Sequence, residues 1–175
     1  AAVVAVSFAR PDCTYQRGSL SLVNSGLSFS SDGSVVKAAI ATLKSRNPNT
    51  RVLLAVGGET YKNFTGLNTQ CIADMVADFG FDGADFDWEP AAACVASGGR
   101  MSCPTDAEGI AAAQKLRDVL PKGQKILSTA TFHVGAYGEG AFANSRPASG
   151  FTGVNLALAK SSVGQTLDLI NIMSY

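Results

Sequence analysis

The sequence predicts an α/β fold in which about five short parallel strands alternate with helices. Three observations carry this reading. Short apolar runs rich in β-branched residues, such as residues 2–8 (Ala-Val-Val-Ala-Val-Ser-Phe) and 51–56 (Arg-Val-Leu-Leu-Ala-Val), have the continuous hydrophobicity of strands covered on both faces. Stretches of helix length with one apolar face separate them. The order strand, helix, strand, helix then repeats along the chain, which favours right-handed crossovers and a parallel sheet. A doubly wound sheet and a (β/α)₈ barrel both satisfy that pattern. No Gly-x-Gly-x-x-Gly follows the first strand and no acid is placed for a ribose, which argues against nucleotide binding.

The elements follow in order. The first strand covers residues 2–8. Residues 9–31 are rich in Ser, Gly and Asn and read as a loop. Asp32-Gly33-Ser34 opens a helix whose inward face carries Val36, Ala39, Ile40 and Leu43. Asn47-Pro48-Asn49 ends it, because the residue before a proline leaves the helical region. The strand at 51–56 runs into Gly57-Gly58, a pair that permits close backbone approach or positive φ. A helix over 70–79 turns Ile72, Met75, Val76 and Phe79 inward and leads to an acidic segment at 81–90. Residues 91–104 read as a loop. Thr105 and Glu108 have the spacing of a capping box for a helix reaching about Leu120. Residues 125–132 form the fourth strand, 133–150 a loop, 152–162 a helix and 167–175 the fifth strand.

The acidic segment reads Phe-Asp-Gly-Ala-Asp-Phe-Asp-Trp-Glu-Pro. Asp85, Asp87 and Glu89 alternate with Phe86 and Trp88, which is the period of a strand. The three carboxylates therefore share one face, with Cα atoms roughly 6.5–7 Å apart per step. Burying such a row is costly, since each charge loses its water. Like charges at this spacing push at least one pKa upward, so a proton is shared along the row. Glu89 stands at the carboxyl end beside Pro90, where the strand meets solvent. Kept protonated by Asp87, it would serve as a general acid. An exposed acidic edge strand is the alternative, but Phe81, Phe86 and Trp88 favour burial. Asp82 is out of phase with the row and reads as structural, bonding backbone at the strand start.

The 175 residues suffice for one domain with a core, and residues 1–175 are read as a single unit. With 46% hydrophobic and 16% charged residues the chain is of globular composition. Lys and Arg together number 14, as do Asp and Glu, and no basic run stands out. Nucleic acid and anionic membrane are therefore not expected partners. No apolar run approaches bilayer length. The chain begins at Ala1 with no signal-peptide pattern, which reads as a mature or trimmed protein. Cys13, Cys71, Cys94 and Cys103 lack zinc-ligand spacing and His133 is the only histidine, so neither metal nor other cofactor is expected. Cys94 and Cys103 flank a flexible loop and are expected to pair, leaving Cys13 for Cys71. Disulfides imply an oxidising, extracellular setting.

Residues 82–89 resemble the Asp-x-x-Asp-x-Asp-x-Glu signature of the family-18 glycoside hydrolases, the chitinase family, at every defining position. The rest of the chain is similar to the same family. Residues 6–9 (Val-Ser-Phe-Ala) resemble the end of its second barrel strand, and Ala55-Val56-Gly57-Gly58 its third-strand motif, with Ala55 where Ser is usual. Ser128-Thr129-Ala130 resembles the fifth strand and residues 171–175 the sixth, where the family reads Met-x-Tyr-Asp. The resemblance implies a partial (β/α)₈ TIM-type barrel holding strands two to six. A full barrel has eight strands and roughly 250 residues. The expectation is a piece of a longer enzyme or a chain that keeps a partial barrel, its open edges covered by loops or by a second copy.

The resemblance also implies chemistry. Family members cleave β-1,4-linked N-acetylglucosamine with help from the substrate's own acetamido group. Glu89 becomes the acid, Asp87 orients the acetamido group, and Asp85 holds Asp87 through a shared proton. Tyr175 donates toward the acetamido oxygen, and Met173 lines the sugar floor. Phe8, Gly57 and Gly58 contribute to substrate binding, with a cis peptide at Ser7–Phe8. Chitin or N-acetylglucosamine oligosaccharides are the implied partners. A chitinase-like binding protein without turnover and an endo-β-N-acetylglucosaminidase share enough of the signature to stand as alternatives.

Overall fold

The structure is a computed structural model that describes residues 3–91, 93–143 and 150–175. Ala2, assigned to the first strand above, Ala92, and residues 144–149 of the loop at 133–150 lie outside the described residues.

Five parallel strands form one sheet in the order β1 (Val3–Ala9), β2 (Arg51–Gly57), β3 (Gly83–Asp87), β6 (Ile126–Phe132) and β7 (Leu169–Met173). Helices α1 (Gly33–Arg46), α2 (Thr69–Phe79), α3 (Asp106–Val119) and α4 (Leu156–Lys160) connect them. The strands β2 and β3 are buried on both faces, β2 through a continuous apolar run and β3 with apolar side chains on one face and acids on the other. β1 and β7 form the two sides of the sheet, which is a partial barrel and does not close.

The core lies between the sheet and its helices. Val52, Leu54, Val56, Ala84, Phe86 and Trp88 point outward from the strands and meet Ile40, Ile72, Met75, Val76, Phe79, Ala113 and Leu116. Phe86 touches Phe64 edge-on at 5.1 Å between ring centroids and stacks on Trp88 at 5.8 Å. Trp88 in turn lies over Gly109 of α3. A Cβ on that residue would come within 2.9 Å of the indole nitrogen, so the close approach requires glycine. The outer parity of β3 is thus spent on packing, and the inner parity is left to the acids.

Local signals explain the boundaries. Asn68 caps α2 by accepting the Cys71 N–H at 3.2 Å. Gly80 takes a left-handed φ of 77° after it, and the Phe81 N–H reaches back to the Val76 carbonyl at 3.0 Å, a Schellman ending. Asp82 accepts the Val52 N–H at 2.8 Å and an ion pair from Lys44 at 2.9 Å, so it ties the starts of β2 and β3 together.

Four features differ from the sequence expectation. The region 91–104 contains a hairpin, β4 (Val95–Ser97) and β5 (Arg100–Ser102), turned by Gly98-Gly99 and stapled at its base by Cys94–Cys103. The capping box is not made: the Thr105 side chain makes no cap bond, and Asp106 accepts the Cys103 N–H at 3.0 Å instead. The helix expected over 152–162 shrinks to α4 because Gly153 and Asn155 give their N–H groups to Val134 and Gly135 of the preceding loop. Finally, β7 ends at Met173, so Ser174 and Tyr175 lie beyond it.

Candidate active site

Asp85, Asp87 and Glu89 share the inner face of the sheet at the carboxyl end of β3 and are 4%, 4% and 7% exposed. Ala55 lies opposite Asp85, and Gly57 opposite Asp87, on β2. Gly57, at φ 104°, leaves no room for a side chain: a Cβ there would come within 2.4 Å of the Asp87 carbonyl oxygen. The Gly58 N–H donates to that same carbonyl at 2.9 Å. A Cβ on Gly58 would come within 2.8 Å of the Phe8 ring. The paired glycines therefore bring the ends of β1, β2 and β3 together, with Phe8 beside them. The Ser7–Phe8 peptide is cis.

Asp85 is held sideways. Ser128 Oγ on β6 donates to its Oδ1, and Asn171 Nδ2 on β7 donates to the same oxygen at 2.8 Å. Asp87 neighbours Glu89 on the same face, and its Oδ1 is buried with no hydrogen-bond partner among the described residues. Burial pushes the Asp87 carboxyl up to about 7, with the charges of Glu89 and Asp85 adding to the effect. Glu89 is raised by burial first and then by the charge of Glu59. Glu59, on the turn after Gly58, is itself held low by hydrogen bonding to Lys62, with which it pairs at 2.7 Å. Burial also raises Asp85, while Ser128 and Asn171 oppose it. A row that retains a proton near neutral pH at the tip of a strand can donate that proton to a ligand.

The structure brings Phe8, Gly57, Gly58, Asp85, Asp87 and Glu89 to one strand-end cluster. Met173 is half-buried at the end of β7, opposite Phe132. Tyr175 is 99% exposed and is not gathered with the acids. His133 is exposed at the end of β6. Cys13 is bonded to Cys71 and Cys94 to Cys103. Ser128, Asn171, Glu59 and Lys62 belong to the cluster but were not singled out from the sequence. For Asn171 the signal is a lone polar residue in an otherwise apolar strand, and for Ser128 a polar residue sharing the parity of Ile126 and Ala130.

A parallel (β/α) sheet with polar side chains gathered at the carboxyl ends of its strands is the arrangement of TIM-barrel-type proteins. The chain matches the model of glycosyl hydrolases family 18 over residues 3–175, and it belongs to that family. Among solved structures it is similar to the chitinase domain of a spore coat protein from Clostridium difficile, with 24% identity and a TM-score of 0.55 over 99% of this chain and 44% of that one. It is also similar to a class V chitinase from Nicotiana tobaccum (14%, TM-score 0.60, 99% of this chain and 46% of that one). A chitinase-like agglutinin from Robinia pseudoacacia is a third (16%, TM-score 0.58, 99% and 48%). At these identities the likeness establishes the fold. The chain spans about half the length of these structures. No curated protein sequence matched.

Proposed function

We propose that this chain carries the acid-donating part of a chitinase-type site that cleaves β-1,4 linkages between N-acetylglucosamine units by substrate-assisted retention. The observation that carries the reading is the Asp87 Oδ1 atom, buried beside Glu89 and without a hydrogen-bond partner among the described residues. An acetamido N–H is the donor that such an acceptor lacks. In the reaction, Glu89 gives its proton to the glycosidic oxygen as the bond from that oxygen to C1 breaks. The acetamido oxygen forms a bond to C1, and the resulting oxazolinium cation is offset by Asp87. Water then bonds to C1 as the bond from C1 to the acetamido oxygen breaks, and the water's proton passes to Glu89. Phe8, Gly57, Gly58 and Met173 border the sugar, and Tyr175 donates toward the acetamido oxygen once a ligand or further chain covers it. Asp85 keeps negative charge behind Asp87.

A second reading, oligosaccharide binding without turnover, is supported by the likeness of the fold to a chitinase-like agglutinin. The two disulfides support an extracellular setting for either reading. Incubation with chitotetraose and with a high-mannose glycopeptide separates the alternatives. Cleavage of chitotetraose by the parent and none by Glu89→Gln supports the chitinase. Binding without cleavage supports the lectin-like reading, and release of glycan from the glycopeptide supports the endo-β-N-acetylglucosaminidase. Undiminished cleavage by Glu89→Gln overturns the assignment of the acid.

A further inference from the structure

We propose that Ser128 and Asn171 are positioning residues that hold Asp85 as the charged member of the row and so assign its proton to the Asp87–Glu89 pair. The proposal rests on reading the row as a proton-donating site. Its basis is an asymmetry between two neighbouring carboxyls on one face. Oδ1 of Asp85 accepts from Ser128 Oγ and from Asn171 Nδ2 at 2.8 Å, and the two donors also touch each other at 3.3 Å. Oδ1 of Asp87 accepts from nothing. Both residues are 4% exposed and burial raises both carboxyls, so the donors on Asp85 are the contrast between them that lowers one and not the other.

Donors to a carboxylate stabilise its charged form, and two on one oxygen do so strongly. A carboxyl that has none in the same dry surroundings takes the proton instead. The groups that face Asp85 are few. β2 presents Ala55, β6 presents Ser128 and β7 presents Asn171, and none of these titrates. The titratable neighbours are Asp87 and, beyond it, Glu89 on β3 itself. Beyond Glu89 stand Glu59 and Lys62, an ion pair acting on that residue. Burial raises Asp85 and the two neutral donors oppose that rise, whereas the charges beside Asp87 add to its own.

The arrangement also gives β7 a part in the site. Asn171 is half-buried on a strand with partner hydrogen bonds on its β6 side only. It reaches two strands across to Asp85, so the position of β7 is transmitted to the acids.

The test is carboxyl titration by carbon-13 NMR on protein labelled at aspartate Cγ, with Asp85→Asn and Asp87→Asn to assign the two signals. In the parent, Asp87 titrates at about 7. In Ser128→Ala and in Asn171→Ala the midpoint of Asp85 is expected to rise and that of Asp87 to fall, with the double variant moving both further. Ser128→Thr, which keeps the hydroxyl, is expected to restore the parent pattern. Loosened packing would instead move both midpoints down together, toward ordinary values. Movement in the same direction, or no movement, overturns the proposal. Turnover plays no part in this titration, whereas the hydrolase reading fails separately if Glu89→Gln cleaves chitotetraose as well as the parent.

Discussion

At the scale of single residues, the fold keeps a carboxyl where an apolar side chain would pack, and stability should record it. Asp87 titrates near about 3.9 in an unfolded chain and at about 7 in the fold. The folded state therefore holds the extra proton between those values. The stability this contributes is fully present below about pH 4 and is lost as pH rises through about 7. Asp87→Asn keeps the shape and removes the titration. Urea unfolding should find the variant more stable than the parent at pH 8, by up to about 4 kcal/mol for the full shift, and no more stable at pH 3.5. An equal difference at both pH values would contradict the burial argument. The three acids were legible in the sequence because strand parity alone aligns them. Ser128 and Asn171 were not, because their meaning depends on which strands lie beside β3, and strand order is a property of the whole sheet.

At the scale of elements, the strand starts are fastened by acids that accept backbone N–H groups. Asp82 does this for β2 and β3, and its phase relative to the row was visible in the sequence. Asp168 does the same for β6 and β7: it accepts the Leu127 N–H at 2.9 Å and its own N–H donates to the Leu127 carbonyl at 2.9 Å. It also pairs at 2.8 Å with Arg117, which is 7% exposed on α3. Removing one partner of a buried pair strands the other. Asp168, however, is itself 26% exposed and Arg117 keeps bonds to the Leu120 and Lys125 carbonyls, so Asp168→Ala should cost about 1–2 kcal/mol in chemical denaturation, while Asp168→Asn, which can still accept from Leu127, should cost less. Equal losses would assign the effect to the ion pair alone. The boundaries of α1, β2, α2, α3 and β6 followed from propensity, periodicity and breakers. The hairpin at 95–102 and the short α4 did not. The hairpin exists because a disulfide closes its base, and α4 is short because Val134 and Gly135 take the N–H groups of Gly153 and Asn155.

At the scale of the whole molecule, two cross-links act on very different lengths of chain. Cys13–Cys71 spans a separation of 58 residues and ties the loop after β1 to α2, whereas Cys94–Cys103 spans 9. Loop-closure entropy predicts that replacing the first pair by Ser costs about 4 kcal/mol and the second about 3. Thermal unfolding of the two double variants should place them in that order. The open sides of the sheet are also a molecular-scale feature. On β7, Ile170 and Ile172 are 54% and 64% exposed. The fold class was readable from the alternation of elements, but the choice of a partial barrel over a doubly wound sheet came only from the resemblance to a family, whose solved members are about twice as long as this chain. The central claim is that Glu89 delivers a proton to a leaving oxygen. The most direct test compares kcat/KM for chitotetraose and for a dinitrophenyl chitobioside, whose leaving group needs no proton, in the parent and in Glu89→Gln. The account predicts a loss of about 10²–10⁴-fold on the oligosaccharide and a far smaller loss on the activated glycoside; equal losses on both would contradict it.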